Sequence, residues 1–190
     1  TTEIYTLSLH DALPISCLEC RTLEEPPSIH AAAALFPYSA QAGSLMRTYK
    51  FRGQRNLSRY IAHSFNRELH FLLHDIDIAN INIVQVPSSP GKKKKKAWDQ
   101  MELVAKELAL KSGIPRLNCL CRKKSAVQKT LNRLEREANL WGKIYCKGPA
   151  PLNALLIDDV ITTGATMRAC AKILKEAGSE RIYCLSFCYD

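Results

Sequence analysis

Residues 154–166 read ALLIDDVITTGAT, and they predict a strand, a turn and the start of a helix. The apolar run 154–157 is typical of a buried strand. The turn at 162–166 contains only Thr, Gly and Ala. From Met167 onward, apolar residues recur at helical spacing until Gly178 ends the pattern. A strand that turns directly into a helix in this way is typical of an α/β fold.

Two adjacent acids, Asp158 and Asp159, come between the apolar run and the turn. Backbone N–H groups at the start of a helix suit a phosphate, and a turn rich in glycine and threonine adds further donors. Carboxylates at the end of a strand suit sugar hydroxyls or a hydrated Mg²⁺. The alternative is a buried strand followed by a capped helix. A cap needs a single Ser, Thr or Asp, however, so two acids and three threonines favour a ligand site.

The composition predicts one domain that prefers anionic partners. The chain has 190 residues, of which 46% are hydrophobic and 24% charged, and its formal net charge is +9. That charge favours phosphate esters, pyrophosphate or nucleic acid. Eight cysteines without an evident secretory signal favour a reduced, cytoplasmic protein over a disulfide framework. No apolar run is long enough to predict a membrane span.

Strand and helix patterns alternate along the chain, which predicts a parallel, doubly wound sheet. The strand predicted at 80–86 is followed by Pro, Ser, Ser, Pro and Gly at 87–91, a turn whose short side chains let backbone N–H groups approach an anion. Ligands of such sheets bind beyond the carboxyl ends of the strands, near a topological switch. We therefore expect this turn and the turn at 162–166 to serve one ligand. Weaker patterns predict strands at 31–38, 117–121 and 143–146 and a basic turn at 50–53.

The N-terminal part of the chain has a different character. Residues 1–16 show no clean period and resemble a non-native segment, so we expect native sequence to resume near Ser16 or Cys17. The alternative is an ordinary short hairpin. Cys17 and Cys20 form a CxxC, half of a tetrahedral zinc site. No second pair follows at a suitable spacing, so we expect no bound zinc in this chain. Zn²⁺ would require further cysteines at a missing N-terminus.

The order of several motifs resembles the ComF family of competence-associated proteins, in which a type I phosphoribosyltransferase-type domain follows a zinc ribbon. The specific motif is DDVITTGAT at 158–166, which resembles the ribose-phosphate signature of enzymes that use 5-phosphoribosyl-1-pyrophosphate (PRPP). The others are weaker one by one: CxxC at 17–20, YKFRG at 49–53, V-P at 86–87, W-D-Q at 98–100 and QKTLNRLEREAN at 128–139. The chain departs from the family at Gln85, where Pro is usual, and at Lys96-Ala97, where Arg-Gly is frequent.

The resemblance implies a fold and a division of the chain. It implies a type I phosphoribosyltransferase-like core with a mostly parallel, doubly wound sheet flanked by helices and a small N-terminal hood-like part. Residues 17–30 would be the remnant of a zinc ribbon, and residues 31–190 the phosphoribosyltransferase-like domain.

The resemblance also assigns roles to residues. Asp158 and Asp159 would hold the ribose hydroxyls of PRPP, which binds with Mg²⁺. For residues 128–139, the alternative to a covering segment is an amphipathic surface helix. The 5′-phosphate would lie on Thr162, Thr163, Gly164, Ala165 and Thr166, the pyrophosphate on Pro87, Ser88 and Ser89, and a basic covering segment would supply Arg122, Gln128, Lys129, Arg136 and Asn139.

Two functions follow from these expectations. The first is a PRPP-binding protein of DNA uptake that transfers phosphoribose, a glycosyltransferase reaction, with release of pyrophosphate. The second is a non-catalytic module that senses a nucleotide or binds single-stranded DNA or a competence helicase, which the net charge of +9 favours. Binding of DNA would depend strongly on salt and little on Asp158.

Overall fold

The computed structural model describes residues 28–88, 98–123 and 142–190. Within these ranges it contains four helices of at least three turns and a short 3₁₀ turn at Ile78–Asn80. The helices are α1 (Ala40–Arg52), α2 (Leu57–Leu72), α3 (Gln100–Ser112) and α4 (Ala165–Glu176). The strands are β1 (Ala31–Pro37), β2 (Asn82–Gln85), β3 (Leu120–Arg122), β4 (Ile144–Cys146), β5 (Asn153–Ile161) and β6 (Arg181–Tyr189).

The main sheet has the order β1-β6-β5-β2, and all of its neighbouring strands are parallel. The apolar run of β5 lies in the interior of this sheet, and residues 154–157 are fully buried. A parallel sheet is covered on both faces, so its strands carry continuous apolar runs. The predicted α/β class with a mostly parallel sheet flanked by helices is confirmed.

Helices cover the two faces of the sheet unequally. Leu155 and Ile157 of β5 pack with buried residues of α1, α2 and α3 on one face. Ala154 and Leu156 pack with α4 and with the antiparallel hairpin of β3 and β4 on the other. Successive strand residues point to opposite faces, so one strand supplies both cores.

The direction in which successive strands are added to the sheet reverses between β2 and β5, although all of these strands are parallel. After β2 the chain passes through α3 and returns along the outer side of β2, where Arg116 pairs in parallel with Ile83. After β5 it passes through α4, on the other face, to β6 on the opposite side. The carboxyl ends of β2 and β5 therefore flank a topological switch point, the place where ligands bind in such sheets.

Some predicted boundaries are wrong. The strand predicted at 154–157 continues to Ile161, because β6 pairs with β5 as far as Tyr189. The basic turn predicted at 50–53 is helical through Arg52, and α1 ends where Gly53 adopts a φ of 68°. The strand predicted at 80–86 is shortened by the 3₁₀ turn that precedes β2. The strands predicted at 117–121 and 143–146 are the short strands of the separate hairpin.

Several sequence predictions lie outside the described residues. They concern the segment 1–16, the zinc-ribbon remnant with Cys17 and Cys20, Ser89, and Gln128, Lys129, Arg136 and Asn139. Among the residues that the structure does describe, none of the helices has both the length and the apolar character needed to cross a membrane.

Candidate functional site

The turn after β5 depends on Gly164, whose φ of 74° lies in the left-handed region. Side chains with a Cβ rarely adopt this conformation, so glycine is required for the chain to enter α4 directly. Thr163 stabilises the turn from two sides. Its Oγ1 accepts a hydrogen bond from the N–H of Ala165 at 3.4 Å, and its carbonyl oxygen accepts one from Nη1 of Arg168 at 2.8 Å.

This turn forms the wall of a depression that is partly open to solvent. The remaining wall consists of Asp158, Val160 and Ile161 of β5 and Met167 of α4. Gly164 occupies the N-cap position and, as a glycine, has no side chain with which to cap α4. The first N–H groups of a helix lack partners within the helix, and its dipole is positive at that end. The depression therefore offers a donor-rich, positively polarised surface beside a carboxylate.

The two acids of β5 have different surroundings. Asp158 lines the depression, and its Oδ1 accepts a hydrogen bond from the N–H of Asp159 at 2.8 Å. Oδ2 of Asp159 lies 2.8 Å from Nζ of Lys50, which comes from the last turn of α1. Adjacent side chains of a strand point to opposite faces, which explains why the acids have separate neighbours.

The pKa shifts of three buried thiols follow the same division between Asp158 and Asp159. Burial raises the pKa of the Cys170 and Cys184 thiols, and the nearby Asp158 raises it further. Arg122 opposes this effect at Cys170, and it lies two residues along β3 from Leu120, which packs on the α4 face. Burial raises the pKa of Cys188 to about 11, with Asp159 adding to the shift and Lys50 opposing it. Each acid thus acts on the thiols of its own face.

The second predicted turn begins beside the acids. The N–H of Val86 donates to the carbonyl oxygen of Ile157 at 3.0 Å, which continues the pairing of β2 and β5 to the level of Asp158. The pairing ends there, since Pro87 has no N–H to donate. Pro87 is buried and Ser88 half-buried. The turn at 87–88 therefore lies across the switch point from the depression.

Asp99 fixes the position of Ser88. Ser88 Oγ donates to Oδ2 of Asp99 at 2.7 Å. Oδ1 of Asp99 accepts the N–H groups of Met101 and Glu102 at 3.1 and 3.2 Å and so caps α3. A single carboxylate thus joins the start of α3 to the second turn.

The YKFRG and W-D-Q segments, which are weak motifs in the sequence, contact each other near Asp159. The Tyr49 hydroxyl donates to the Gln100 carbonyl oxygen at 2.7 Å, and Nε2 of Gln100 donates to the Lys50 carbonyl oxygen at 2.9 Å. The rings of Tyr49 and Trp98 are 5.4 Å apart, and the Arg55 guanidinium lies 5.4 Å from the centre of the Trp98 ring. The YKFRG and W-D-Q segments therefore form one unit, here called the α1–α3 junction.

Sequence reasoning did not single out Lys50 or Asp99 as parts of the site. Their only signal was membership of the YKFRG and W-D-Q motifs, and no spacing rule links either motif to Asp158 or Asp159. In the described ranges, no group of three or more His, Cys, Asp and Glu side chains is arranged to hold a metal ion.

The strand order and the helices define an α/β protein. At the switch point of its sheet, a strand that carries two acids is followed by a turn whose N–H groups suit an anion. No protein-family model matches the chain. The chain is 26% identical to competence protein ComFC of Streptococcus pneumoniae over 171 residues, which is 90% of this chain and 73% of that protein. It is 27% identical to competence protein F of Haemophilus influenzae over 177 residues, 87% of this chain and 75% of that protein. These similarities confirm the resemblance to the ComF family.

Solved structures with a similar fold include phosphoribosyltransferases. Adenine phosphoribosyltransferase of Leishmania tarentolae is 12% identical, with a TM-score of 0.45 over 88% of this chain and 94% of that chain. The Saccharomyces cerevisiae enzyme is 15% identical, with a TM-score of 0.41 over 69% of each chain.

Proposed function

We propose that this protein binds PRPP with Mg²⁺, or a related phosphoribosyl ligand, between the carboxyl ends of β2 and β5 and acts in DNA uptake. The observation that carries the proposal is the depression formed by the Gly164 turn and Asp158 at the switch point. The competence proteins that the chain resembles support the biological setting.

The proposed ligand extends across the switch point. Its 5′-phosphate lies on the turn at 162–166, where helix N–H groups and hydroxyls donate to it. Asp158 and Asp159 accept hydrogen bonds from the ribose hydroxyls. The turn at 87–89 meets the pyrophosphate, and Arg122 supplies positive charge from the α4 face.

A carboxylate at this edge of the sheet fits the metal that PRPP requires. Carboxylate oxygens are the donors that Mg²⁺ prefers, and Mg²⁺ keeps several waters when few protein ligands are present. Bound with the substrate, Mg²⁺ would neutralise charge on the pyrophosphate. Asp158, which lines the depression, is the described residue that would hold it, whereas Asp159 is paired with Lys50.

In the proposed reaction the bond between ribose C1 and the pyrophosphate oxygen breaks, and pyrophosphate leaves with the electron pair. A nucleophilic acceptor then bonds to C1. The carboxylates stabilise the positive charge that develops on the ribose ring, and the basic residues stabilise the leaving group. This is a pentosyl transfer, so the activity would be that of a phosphoribosyltransferase.

Calorimetric titration with PRPP and Mg²⁺ tests the proposal. The unsubstituted protein should bind one equivalent, and Asp158→Asn/Asp159→Asn should weaken binding by about 100-fold, since charge-assisted hydrogen bonds to two hydroxyls are lost. The control is Glu176→Gln, which removes one exposed carboxylate at the other end of α4. Absence of heat from the unsubstituted protein, or equal binding by the double variant, would overturn the proposal. Release of pyrophosphate with a panel of bases and amines then separates transfer from binding.

A second candidate function is supported by the surface where α1 meets α2. Phe51 has 74% of its surface exposed, and Arg47, Arg52, Arg55 and Arg59 of the same stretch of chain are also exposed, with Arg59 paired to Glu107. A basic surface with an exposed aromatic ring suits single-stranded nucleic acid, because phosphates bind the cations and bases stack on the ring.

Fluorescence anisotropy with a labelled oligothymidine tests this second candidate. Phe51→Ala should weaken binding by about tenfold, the smaller end of the stacking contribution of one base. Asp158→Asn should leave DNA binding unchanged. The affinity should fall steeply with salt, and binding that is insensitive to both salt and Phe51→Ala would contradict this function.

A further inference from the structure

The ion pair of Lys50 and Asp159 is the feature of the site that the proposed ligand does not explain. Its atoms are 2.8 Å apart, and the side chains are only 26% and 19% exposed. Ion pairs on open surfaces are screened and contribute little, whereas a partly buried pair is screened less. The pair joins α1 to the acid-bearing strand at the carboxyl end of the sheet.

The backbone that carries Lys50 is held in place independently of the ion pair. Its carbonyl oxygen accepts the Gln100 side chain at 2.9 Å, and the neighbouring Tyr49 is fully buried with its hydroxyl on the Gln100 backbone. Lysine has a flexible stem that loses side-chain entropy when it is fixed. Anchoring the last turn of α1 reduces the freedom that remains to be lost, so the ammonium group is presented to Asp159 at a defined place.

Asp159 needs such a partner because its carboxylate is largely buried, at 19% exposure. A charge held away from water is costly, and a nearby cation offsets that cost. Resting on the proposed function, we propose that Lys50 is a positioning residue. It holds the Asp159 carboxylate so that this group can accept a ribose hydroxyl, and it acts on the ligand only through Asp159.

The inference predicts that phosphate recognition and ribose recognition separate. Inorganic phosphate reports on the turn at 162–166, and ribose 5-phosphate reports on the same turn together with the acids. Lys50→Met should lower the affinity for ribose 5-phosphate by about tenfold, a coupling common for residues in contact, and leave phosphate affinity unchanged. Lys50→Arg should restore most of the loss, because it retains the charge.

A double-mutant cycle measured by calorimetry identifies the route of the effect. Asp159→Asn should weaken ribose 5-phosphate binding at least as much as Lys50→Met, and the two together should equal Asp159→Asn alone. Lys106→Met serves as the control, because Lys106 also forms an ion pair, with Glu102, on the exposed side of α3. Its affinity for both probes should not change.

Three results would overturn the inference while the proposed function stands: equal losses for phosphate and ribose 5-phosphate in Lys50→Met, a further loss from Lys50→Met in the Asp159→Asn background, or no effect of Lys50→Met. If the unsubstituted protein binds neither ribose 5-phosphate nor PRPP, the proposed function fails and the inference fails with it.

Discussion

The main sheet carries acids near both of its ends, and their surroundings differ. Near the amino ends of the strands, Asp75 accepts the Tyr183 hydroxyl at 2.8 Å, Nε2 of His30 lies at 2.7 Å, and Nη1 of Arg181 at 3.2 Å. At the carboxyl ends, Asp158 lines a depression beside a helix N-terminus. The first acid joins three separate parts of the chain, and the second faces space that a ligand could fill.

This difference suggests a division between stability and binding. Three donors from β6 and from the residue before β1 close around Asp75, so its removal should cost folding free energy. Asp158 lines the depression of the proposed ligand, so a change there should be felt by the ligand. Substitutions in the shared strand β5, and then at one end of the strands at a time, compare the two ends.

Leu156→Ala should have the largest effect on stability, because β5 links the two edges and Leu156 is fully buried. A cavity of this kind costs about 3 kcal/mol of unfolding free energy. Urea denaturation measures the loss. Leu152→Ala, at a position that is 55% exposed just before the same strand, should change stability by less than about 0.5 kcal/mol. Similar losses at both positions would contradict the central place of β5.

Gly164→Val should affect both stability and binding. A branched side chain at a φ of 74° costs about 2 kcal/mol and distorts the proposed phosphate turn. Ribose 5-phosphate affinity should fall with it. Gly113→Val is matched, since Gly113 ends α3 with a φ of 75° and open space around it. It should lose similar stability and keep its ribose 5-phosphate affinity; loss of affinity in both would show that strain alone is responsible.

Asp75→Asn should reduce the unfolding free energy by about 1 kcal/mol, since the partners of Asp75 are partly exposed and solvent screens them. Thermal and urea unfolding measure this change. The affinity for ribose 5-phosphate should stay within twofold of the unsubstituted protein. A large loss of affinity would break the proposed division between the edges.

The smallest effect of Asp75→Asn should appear in how the unfolding free energy changes at acid pH. Burial raises the pKa of Asp75, but hydrogen bonds from Tyr183 and His30 outweigh it and hold the pKa below its usual range. The resulting stability is present above the unfolded pKa of about 3.9 and is lost as the pH falls through the folded value. Between about pH 5 and about pH 3, Asp75→Asn should therefore lose less stability than the unsubstituted protein. Urea denaturation at a series of pH values measures the unfolding free energy of both proteins. Equal losses in the two proteins over this pH range would contradict the prediction.

The sequence predicted the class of fold, and it predicted the turn that lines the depression. Apolar runs and helical spacing are local signals, and they indicated the alternation that builds the parallel sheet. Boundaries were less accurate where a neighbouring strand decides them. β5 continues past Asp158 because β6 lies beside it, whereas β2 ends close to the predicted position, which Pro87 marks.

The sequence by itself determined the turn around Gly164, because a left-handed glycine and the helix start are properties of a few adjacent residues. Tertiary structure decided the rest of the site. It placed Asp158 on the depression and Asp159 on Lys50, and it brought the α1–α3 junction behind them. These pairings join residues far apart in the chain, so they depend on how the helices pack on the sheet, which no local pattern specifies.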